Sequence, residues 1–222
     1  MMTRTLRNAQ YGTLDGCLFF GDCLEDIYDI YDRQRRLELH VPRRASVIGI
    51  GGIGTWVALF AAMSGVRELE LSDPDTVDAT NLNRLPYTPD DVGKRKTDVA
   101  MALIKRLRSD AIVSTRERSA NFDATDFVFI CTDNLESKIK YAQLAKEKGV
   151  PFAVLGYDGN AISISVNRVP EVWDSGPDGY RVVPSWVAPP AFIAAWAVDM
   201  AFSGAGELVY DGDIRDVAGR KP

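Results

Sequence analysis

The chain has 222 residues, of which 46% are hydrophobic and 26% charged, with a net charge of −5 at pH 7. These values are typical of a globular protein with one large domain or two small ones, and the acidic balance argues against a nucleic-acid partner held by bulk electrostatic attraction. No apolar run reaches the roughly 20 residues of a membrane-spanning helix, and no apolar core of a secretion signal is visible. Because the chain has only three cysteines, we expect a cytoplasmic protein.

The N-terminal region begins with residues 1–21, which lack clear periodicity and are predicted to form an irregular arm. Asp22 and Glu25 then fit a helix-capping box. Apolar residues recur at helical spacing over about Cys23–Gln34, which predicts an amphipathic helix.

A strand, a glycine-rich turn, a helix and a second strand follow. The predicted strands are Ala45–Ile50 and Glu68–Leu71, the predicted helix is Gly52–Ser64, and Asp73 lies at the tip of the second strand. Glycines allow a phosphate to approach the backbone, and the start of a helix offers unpaired N–H groups and a positive dipole end. This unit predicts nucleotide binding without naming the nucleotide, and a purely structural turn is the alternative. The turn reads Gly49-Ile50-Gly51-Gly52-Ile53-Gly54.

The rest of the chain continues the alternation of helices and strands. Residues 72–96 form a polar connection that is too long for a routine loop in a compact domain, so we expect it to be functional. The alternation predicts an α/β fold with a Rossmann-like, doubly wound sheet, mostly parallel with antiparallel additions after strand five. This domain is expected over residues 22–210, and the polar residues 211–222 have the composition of a disordered tail. The later predicted elements are helix Thr97–Arg108, strands Ala111–Arg116 and Phe127–Cys131, helix Leu135–Lys148, strands Phe152–Leu155 and Ala161–Val166, and helix Pro189–Ser203.

One interpretation of the glycine turn is an NAD(P)-dependent oxidoreductase, in which Asp73 would hold a ribose hydroxyl. The single histidine, His40, precedes the first predicted strand and so lies away from the sheet edge where such sites form. No other residue pattern supplies a base for hydride transfer. This interpretation is therefore kept only as an alternative.

The polar connection after the second strand favours different chemistry. Between Asp73 and Lys96 it places carboxylates, a carboxamide and several cations beside the glycine turn. Cations near phosphates neutralise the charge on a departing pyrophosphate, and carboxylates can hold a ribose or a divalent metal. Mg²⁺ needs only one or two protein carboxylates when phosphate oxygens complete its coordination.

Three motifs follow one another in this region: GxGGxG in the turn, DxDxVxxxNLxR from Asp73, and GxxK ending at Lys96. Together they resemble the ThiF/MoeB family, the adenylating domain shared with ubiquitin-activating enzymes. Further matches are Tyr31–Gln34, Cys131–Asn134 and Gly156–Gly159. The first of these looks like the family's RYxRQ element, although Ile30 replaces its first arginine. The resemblance covers roughly residues 22–203.

The resemblance implies ATP-dependent adenylation of a carboxylate in a homodimer, with ATP and Mg²⁺ as cofactors. Arg33 would act in trans and reach the γ-phosphate of ATP in the partner subunit, and Asp133 would bind Mg²⁺. The remaining implied contacts are phosphates at Gly49, Gly51, Gly52 and Gly54, ribose at Asp73 with Asp75 as second candidate, and phosphates again at Asn81, Arg84 and Lys96.

Each assigned side chain also has a simpler structural alternative. Taken alone, Arg84 and Lys96 fit solvated surface charges, and Asp75 fits ordinary turn chemistry. Asp133 fits a cap on the following helix, and Arg33 fits a cation at the C-terminal end of its own helix. These alternatives stay open on the sequence alone.

The chain departs from the family in its cysteines. Many relatives carry a catalytic cysteine in the stretch that corresponds to Val169–Trp186, which contains none here, and the paired CxxC motifs of a structural zinc site are also missing. Cys131 ends a predicted buried strand, and Cys17 and Cys23 have no assigned role. We therefore expect adenylation without a thioester on the enzyme.

The expected substrate is the C-terminal carboxylate of a small ubiquitin-like or sulfur-carrier protein, or of a peptide, with no membrane or nucleic-acid partner. A small-molecule or tRNA-borne carboxylate is the next option, and the net charge of −5 disfavours the tRNA version. The alternative functions are the NAD(P)-dependent oxidoreductase and a non-catalytic ATP-binding scaffold.

Overall fold

The computed structural model describes residues 30–117, 121–170, 184–204 and 206–217. The predicted helix Cys23–Gln34 lies mostly outside these residues, and so do Cys17 and Cys23. Within the described part of this region, the chain forms a short 3₁₀ helix over Gln34–Leu37.

The described fold consists of seven strands and five α-helices, joined by turns that include 3₁₀ helices at Ala79–Asn81 and Pro89–Asp91. Among these residues, no helix has the length and apolarity to cross a membrane. The strands are β1 (Arg44–Ile48), β2 (Glu68–Ser72), β3 (Ile112–Arg116), β4 (Phe127–Ile130), β5 (Phe152–Asp158), β6 (Ala161–Val166) and β7 (Leu208–Asp213). The helices are α1 (Gly54–Met63), α2 (Lys96–Leu107), α3 (Leu135–Glu147), α4 (Ala188–Phe202) and α5 (Ile214–Val217).

The strands form one sheet in the order β3-β2-β1-β4-β5-β6-β7. Neighbouring strands from β3 through β5 run parallel, whereas β6 is antiparallel to both β5 and β7. Parallel neighbours need long crossover connections, which are usually helical. The prediction of a doubly wound, mostly parallel sheet with antiparallel additions after strand five is confirmed.

The first strand shows how both faces of the sheet are buried. Val47 packs into the larger apolar cluster with residues of α1, α2 and α4, while the next residue, Ile48, packs into a second cluster with Ala142 and Ala145 of α3. Successive side chains on a strand point to opposite faces, so a strand that is buried along its length, as β1 is from Ala45 to Ile48, requires cover on both sides. The exposed polar groups of the sheet therefore lie mainly in the turns at the strand ends.

Residues 211–217, which their composition placed in a polar tail, are ordered in the structure. They complete β7 and form α5, and β7 pairs with β6 along its full length, with Gly212 opposite Ile162. Tyr210 packs edge-on against Trp196 of α4, with ring centroids 5.1 Å apart. Backbone pairing with the open edge of β6 and this aromatic contact stabilise a segment whose own sequence is polar.

Candidate active site

The candidate site lies where the strand order reverses, between β1 and β4. In open α/β sheets, the connections after two such strands diverge and leave a crevice at their carboxyl ends. The connection after β1 is the glycine turn (Gly49–Gly54), and the connection after β4 begins with Cys131. The two connections touch, since a Cβ atom on Gly49 would lie 2.8 Å from the Cys131 carbonyl oxygen.

Packing constrains three of the four glycines predicted to approach phosphates. Gly49 has a φ of +89°, and a Cβ atom on Gly54 would lie only 1.7 Å from the Gly49 carbonyl oxygen. A Cβ atom on Gly52 would lie 2.6 Å from the hydroxyl of Tyr157. Gly51 differs, because no atom lies within 4 Å of its Cβ position. The turn is therefore closely packed except at Gly51, where a phosphate can approach.

The start of α1 adds a partial positive charge to the glycine turn. Its N-cap residue, Ile53, supplies no side-chain cap, and the first turn of the helix carries no acidic residue. The N–H groups at this helix end and the helix dipole therefore favour an anion.

Asp73 braces the glycine turn from below. Its carboxylate is 6% exposed and accepts hydrogen bonds from the Ile50 N–H at 2.6 Å and the Asp75 N–H at 2.8 Å. Burial raises the pKa of Asp73, while the positive charge of Lys96 opposes that rise. The predicted ribose contact of Asp73 stays a prediction, and the side chain of Asp75, 64% exposed, remains the second candidate.

The polar segment (Asp73–Lys96) follows β2, and its two ends lie side by side. Thr76 forms an antiparallel bridge with Arg95, and Val77 donates to the Lys94 carbonyl at 2.8 Å. The return places Lys96 at the first position of α2, where its Nζ donates to Asp75 Oδ2 at 2.8 Å. The Lys96 side chain is only 13% exposed. Lys96 is therefore held beside the carboxylates rather than solvated.

Asn81 orders the middle of the polar segment. It is 8% exposed, and its Oδ1 accepts a hydrogen bond from the Asp78 N–H at 3.1 Å in a reciprocal capping box. Hydrogen bonds from the Thr80 hydroxyl and N–H to the Asp78 carboxylate lower the pKa of Asp78. The capping box gives Asn81 a structural role beside its predicted contact with phosphate.

Arg84 ends this turn with part of its guanidinium committed and part uncommitted. Its Nη1 donates to the Thr80 carbonyl at 2.7 Å and to Asn83 Oδ1 at 3.1 Å. Its Nε is buried and has no hydrogen-bond partner among the described residues. A buried donor of a charged group without an acceptor is costly, so Arg84 Nε is available to donate to a bound group.

Two side-chain contacts tie the polar segment to α1. The indole of Trp56 donates to the Arg84 carbonyl at 2.9 Å, and the hydroxyls of Thr55 and Tyr87 lie 2.9 Å apart. Burial raises the pKa of Tyr87 to about 12, so this phenol keeps its proton. The glycine turn and the polar segment are thus joined through the first turn of α1.

Asp133 follows β4 with its carboxylate exposed. The structural alternative for Asp133 was a cap on the following helix. That cap is supplied by the next residue, because Asn134 Oδ1 accepts a hydrogen bond from the Ser137 N–H at 2.8 Å at the start of α3. No cluster of three or more acidic, cysteine or histidine residues that could hold a metal occurs in the described ranges. The Asp133 carboxylate accepts only a long hydrogen bond, from Asn134 Nδ2 at 3.5 Å, among the described residues. A single exposed carboxylate of this kind fits a magnesium ion whose other ligands are phosphate oxygens and water.

Arg33 lies far from the other predicted site residues of its own chain. It is exposed and directly precedes the 3₁₀ helix Gln34–Leu37, and Gln34 Nε2 donates to the Ser64 carbonyl at 2.7 Å. Ser64 caps the end of α1 opposite to the glycine turn, about 15 Å away along ten residues of helix. The fold therefore does not bring Arg33 to the site within one protomer.

Tyr157 and Ser185 contribute contacts that the sequence did not reveal. Tyr157 covers Gly52, its hydroxyl lies 2.7 Å from Ser185 Oγ, and the Ser185 carbonyl accepts from Asn83 Nδ2 at 2.7 Å. Tyr157 belongs to the family match Gly156–Gly159, most of which lies in β5, but nothing in the sequence pairs it with Ser185. The chain before α4 is thus fastened to both the glycine turn and the polar segment.

Residues 30–175 match the model of the ThiF family. Ubiquitin-like modifier-activating enzyme 5 from Oryza sativa subsp. japonica is 30% identical over 157 residues, which are 62% of this chain and 36% of that protein. The same enzyme from Arabidopsis thaliana is 28% identical over 160 residues, with shares of 62% and 36%. The chain thus spans about a third of the length of these curated relatives.

Solved structures share the fold over most of the chain. PaaA superposes with a TM-score of 0.64 at 22% identity, covering 93% of this chain and 78% of that one. MccB from E. coli, solved with ATP, gives 0.62 at 21% identity over 88% and 73%. The E. coli tRNA N6-threonylcarbamoyladenosine dehydratase TcdA gives 0.55 at 23% identity over 64% and 65%.

Proposed function

The chain belongs to the ThiF family, and from that premise we propose that it is an ATP-dependent adenylyltransferase. A substrate carboxylate oxygen attacks the α-phosphorus of ATP, the bond from that phosphorus to the bridging oxygen of the β-phosphate breaks, and pyrophosphate leaves. The acyl-adenylate is the product. This reaction needs no nucleophile from the protein, only positioning of the two reactants and neutralisation of charge.

The observation that carries the proposal is the chain of contacts from the open glycine to two cations. Gly51 is uncovered, the Ile50 N–H beside it is held by Asp73, and Lys96 is paired with Asp75 two residues further on. Arg84, whose carbonyl is tied to α1, keeps a buried Nε that finds no partner in the described part of the chain. Two cations beside an uncovered glycine and a helix N-terminus support binding of a polyphosphate.

Asp133 is the residue that would hold Mg²⁺ in this proposal. Its carboxylate is exposed and is not used as the α3 cap, so it can accept a cation at the carboxyl end of β4. Bound magnesium would neutralise charge on the phosphates as pyrophosphate forms. The protein side of that contact is one carboxylate, in keeping with the preference of Mg²⁺ for substrate phosphates.

We further propose that the acyl group never passes to an enzyme cysteine. The stretch Val169–Trp186 contains no cysteine. Cys131 is buried, and burial raises the pKa of its thiol, so that it is a poor nucleophile. The activated acyl group would therefore react with an external acceptor directly.

The proposed substrate is the C-terminus of a small ubiquitin-like or sulfur-carrier protein, or of a peptide, and the proposed setting is the cytoplasm. Support comes from the names of the relatives, which are ubiquitin-like modifier-activating enzymes, and from MccB, which has been solved with N-formylated MccA. These statements hold for those proteins, and they make such a substrate the first one to test here.

A homodimer with Arg33 acting in trans completes the proposal. Arg33 sits at the end of α1 opposite to the glycine turn, so a second chain is needed to bring it to the phosphates. Mixing Arg33→Ala with Asp133→Ala protein should restore part of the activity, because one site in each hybrid dimer would then be intact. Hybrid dimers that form, as judged by native mass spectrometry, yet stay inactive would contradict the trans assignment.

The proposed reaction is tested by ATP–pyrophosphate exchange, screened with small proteins encoded beside this one. Arg84→Ala and Asp133→Ala should reduce exchange at least a hundredfold while leaving the circular dichroism spectrum unchanged. Arg106→Ala is the matched control, since Arg106 is an exposed arginine near the end of α2. Wild-type exchange in both site variants would refute the site. ATP binding without pyrophosphate exchange would favour the non-catalytic ATP-binding scaffold. Oxidation or reduction of a nicotinamide cofactor would favour the NAD(P)-dependent oxidoreductase.

A further inference from the structure

Lys138 is a half-buried cation that the proposed adenylation site does not use. It closes the first turn of α3, where its N–H donates to the Asn134 carbonyl at 3.2 Å. Its Nζ reaches the sheet, because a Cβ atom on Gly156 in β5 would lie only 2.8 Å from it. A lysine on a helix is thus aimed at the backbone of a central strand.

No carboxylate forms an ion pair with Lys138 anywhere in the described ranges. Burial lowers the pKa of Lys138, and the nearby Cys131 and Asp133 oppose that change only in part. Taking an ammonium out of water without a partner is expensive, and removing that cost requires an acceptor. The ordinary solution, a buried acidic residue, is not present among these neighbours.

A hydroxyl lies against the same backbone position as the ammonium. Ser163 Oγ would be 2.7 Å from a Cβ atom on Gly156, and Ser163 is the cross-strand partner of Gly156 in β6. Ser163 is 6% exposed, whereas its neighbours Ile162 and Ile164 pack into the larger apolar cluster on the other face. Lys138, Ser163 and Gly156 therefore form a small polar cluster, the lysine–serine cluster, on the α3 face of the sheet.

The lysine–serine cluster lies at the same edge of the sheet as the proposed nucleotide site. Gly156 is near the carboxyl end of β5 and directly precedes Tyr157, whose hydroxyl covers Gly52 of the glycine turn. The helix that carries Lys138 starts directly after Asp133 and Asn134, at the carboxyl end of β4. The cluster is therefore placed on the α3 side of the crevice that the glycine turn borders.

We propose that Lys138, with Ser163, binds the carboxylate of the substrate and places it for attack on the α-phosphate. The ammonium donates to the carboxylate oxygen that does not attack, and the hydroxyl of Ser163 donates to the same oxygen. After adenylation, this oxygen is the acyl carbonyl oxygen, and both donors still reach it. Gly156 is a glycine because a side chain there would displace Lys138 Nζ and Ser163 Oγ. The assignment rests on the proposed adenylation and adds the residues that would recognise the acyl substrate.

Two stable probes separate the acyl contact from the nucleotide contact. 5′-O-sulfamoyladenosine occupies the nucleotide site alone, and its N-glycyl derivative adds an acyl carbonyl in the position of the activated carboxylate. Isothermal titration of both probes is carried out on the full chain for wild type, Lys138→Met and Ser163→Ala. The matched control is Lys140→Met, since Lys140 is an exposed lysine on the same helix that stacks on Tyr141.

Lys138→Met should weaken binding of the glycyl probe at least tenfold and change that of sulfamoyladenosine less than twofold. Ser163→Ala should give the same selectivity with about a threefold loss, so the assignment can be judged even if Lys138→Met does not fold. Equal losses for both probes would overturn the carboxylate assignment and place Lys138 on the α-phosphate. Unchanged affinities in both variants would overturn it too. Failure of the wild type to bind either probe would instead count against the proposed adenylation.

Discussion

The glycine turn and the polar segment meet at one site but are held in shape by different means. The turn is fixed by packing: at Gly49, Gly52 and Gly54 a single added carbon would collide with protein atoms. The polar segment is fixed by hydrogen bonds to itself, from the Asp78–Asn81 capping box to the pairing of its two ends at Asp75 and Lys96. Substitutions at the packed glycines of the turn should therefore lower the free energy of unfolding, whereas substitutions in the polar segment should mainly lower activity.

The largest expected effect is at Gly54, where the difference is tested most directly. Gly54→Ala should lower the free energy of unfolding by about 3 kcal/mol or more, because its Cβ would lie 1.7 Å from the Gly49 carbonyl oxygen. Gly51→Ala is the matched control: its Cβ meets no atom within 4 Å, so stability should change by less than about 1 kcal/mol. Urea denaturation measures both values.

Gly51→Ala carries its own expectation for binding, since a methyl group there would stand where a phosphate approaches. ATP affinity, measured by isothermal titration, should fall at least tenfold. A Gly54→Ala protein as stable as wild type would show that the turn is not fixed by packing, and unchanged ATP affinity in Gly51→Ala would show that phosphate does not approach at that residue.

Asp73 contacts both the glycine turn and the polar segment, and its replacement should lower the free energy of unfolding by an intermediate amount. Asp73→Ala leaves the Ile50 and Asp75 N–H groups without their acceptor, which should lower the free energy of unfolding by roughly 2 kcal/mol. Asp90→Ala, at an exposed position in the 3₁₀ helix Pro89–Asp91, is the control and should change stability little. Equal urea midpoints for these two variants would mean that Asp73 does not brace the turn.

Asp75 should affect stability less still, because its own side chain lies at the surface although that of Lys96 does not. With the Asp75 side chain 64% exposed, Asp75→Asn should change stability by under about 0.5 kcal/mol. The same variant sorts the two ribose candidates when ATP and 2′,3′-dideoxy-ATP are titrated against it. We expect the preference for ATP to survive, as the assignment to Asp73 requires; loss of that preference would move the role to Asp75.

The smallest effect concerns Cys131, at the end of β4 beside the turn. Burial raises the pKa of its thiol, so in a Cys17→Ser/Cys23→Ser background no thiol should react with Ellman's reagent at pH 8 in the folded protein. One thiol should react in concentrated urea. Rapid labelling under native conditions would show that the end of β4 opens readily, contrary to the close packing at Gly49.

The packed region could be predicted from sequence more fully than the hydrogen-bonded one. The alternation of apolar runs and the glycine spacing located β1, α1 and β2 to within a few residues, because local periodicity encodes them. The bracing role of Asp73 could not be predicted, since its partner Ile50 is 23 positions away in the chain. β7 was missed because residues 211–213 are polar, and only pairing with β6 makes them a strand.

The same limit applies to the site residues that the sequence did not reveal. The hydroxyls of Tyr157 and Ser185 are in contact although the residues are 28 positions apart in the chain. Lys138 is recognised as a candidate only because it lies beside Gly156 and Ser163, which belong to two other elements. Motifs name residues that are adjacent in the chain, whereas these contacts depend on strand register and helix placement. For Asp133, the sequence located the start of α3 correctly but left open which residue caps it, and the structure gives the cap to Asn134.

The hydrogen bond from Gln34 to Ser64 has a consequence for how activity would scale with protein concentration. It holds the approach to Arg33 at the end of α1 opposite to the glycine turn. If Arg33 completes the site of a partner, the site of a monomer lacks this arginine. Specific activity would then fall when the protein is diluted toward the dissociation constant of the dimer, so the concentration of the protein would itself regulate the reaction.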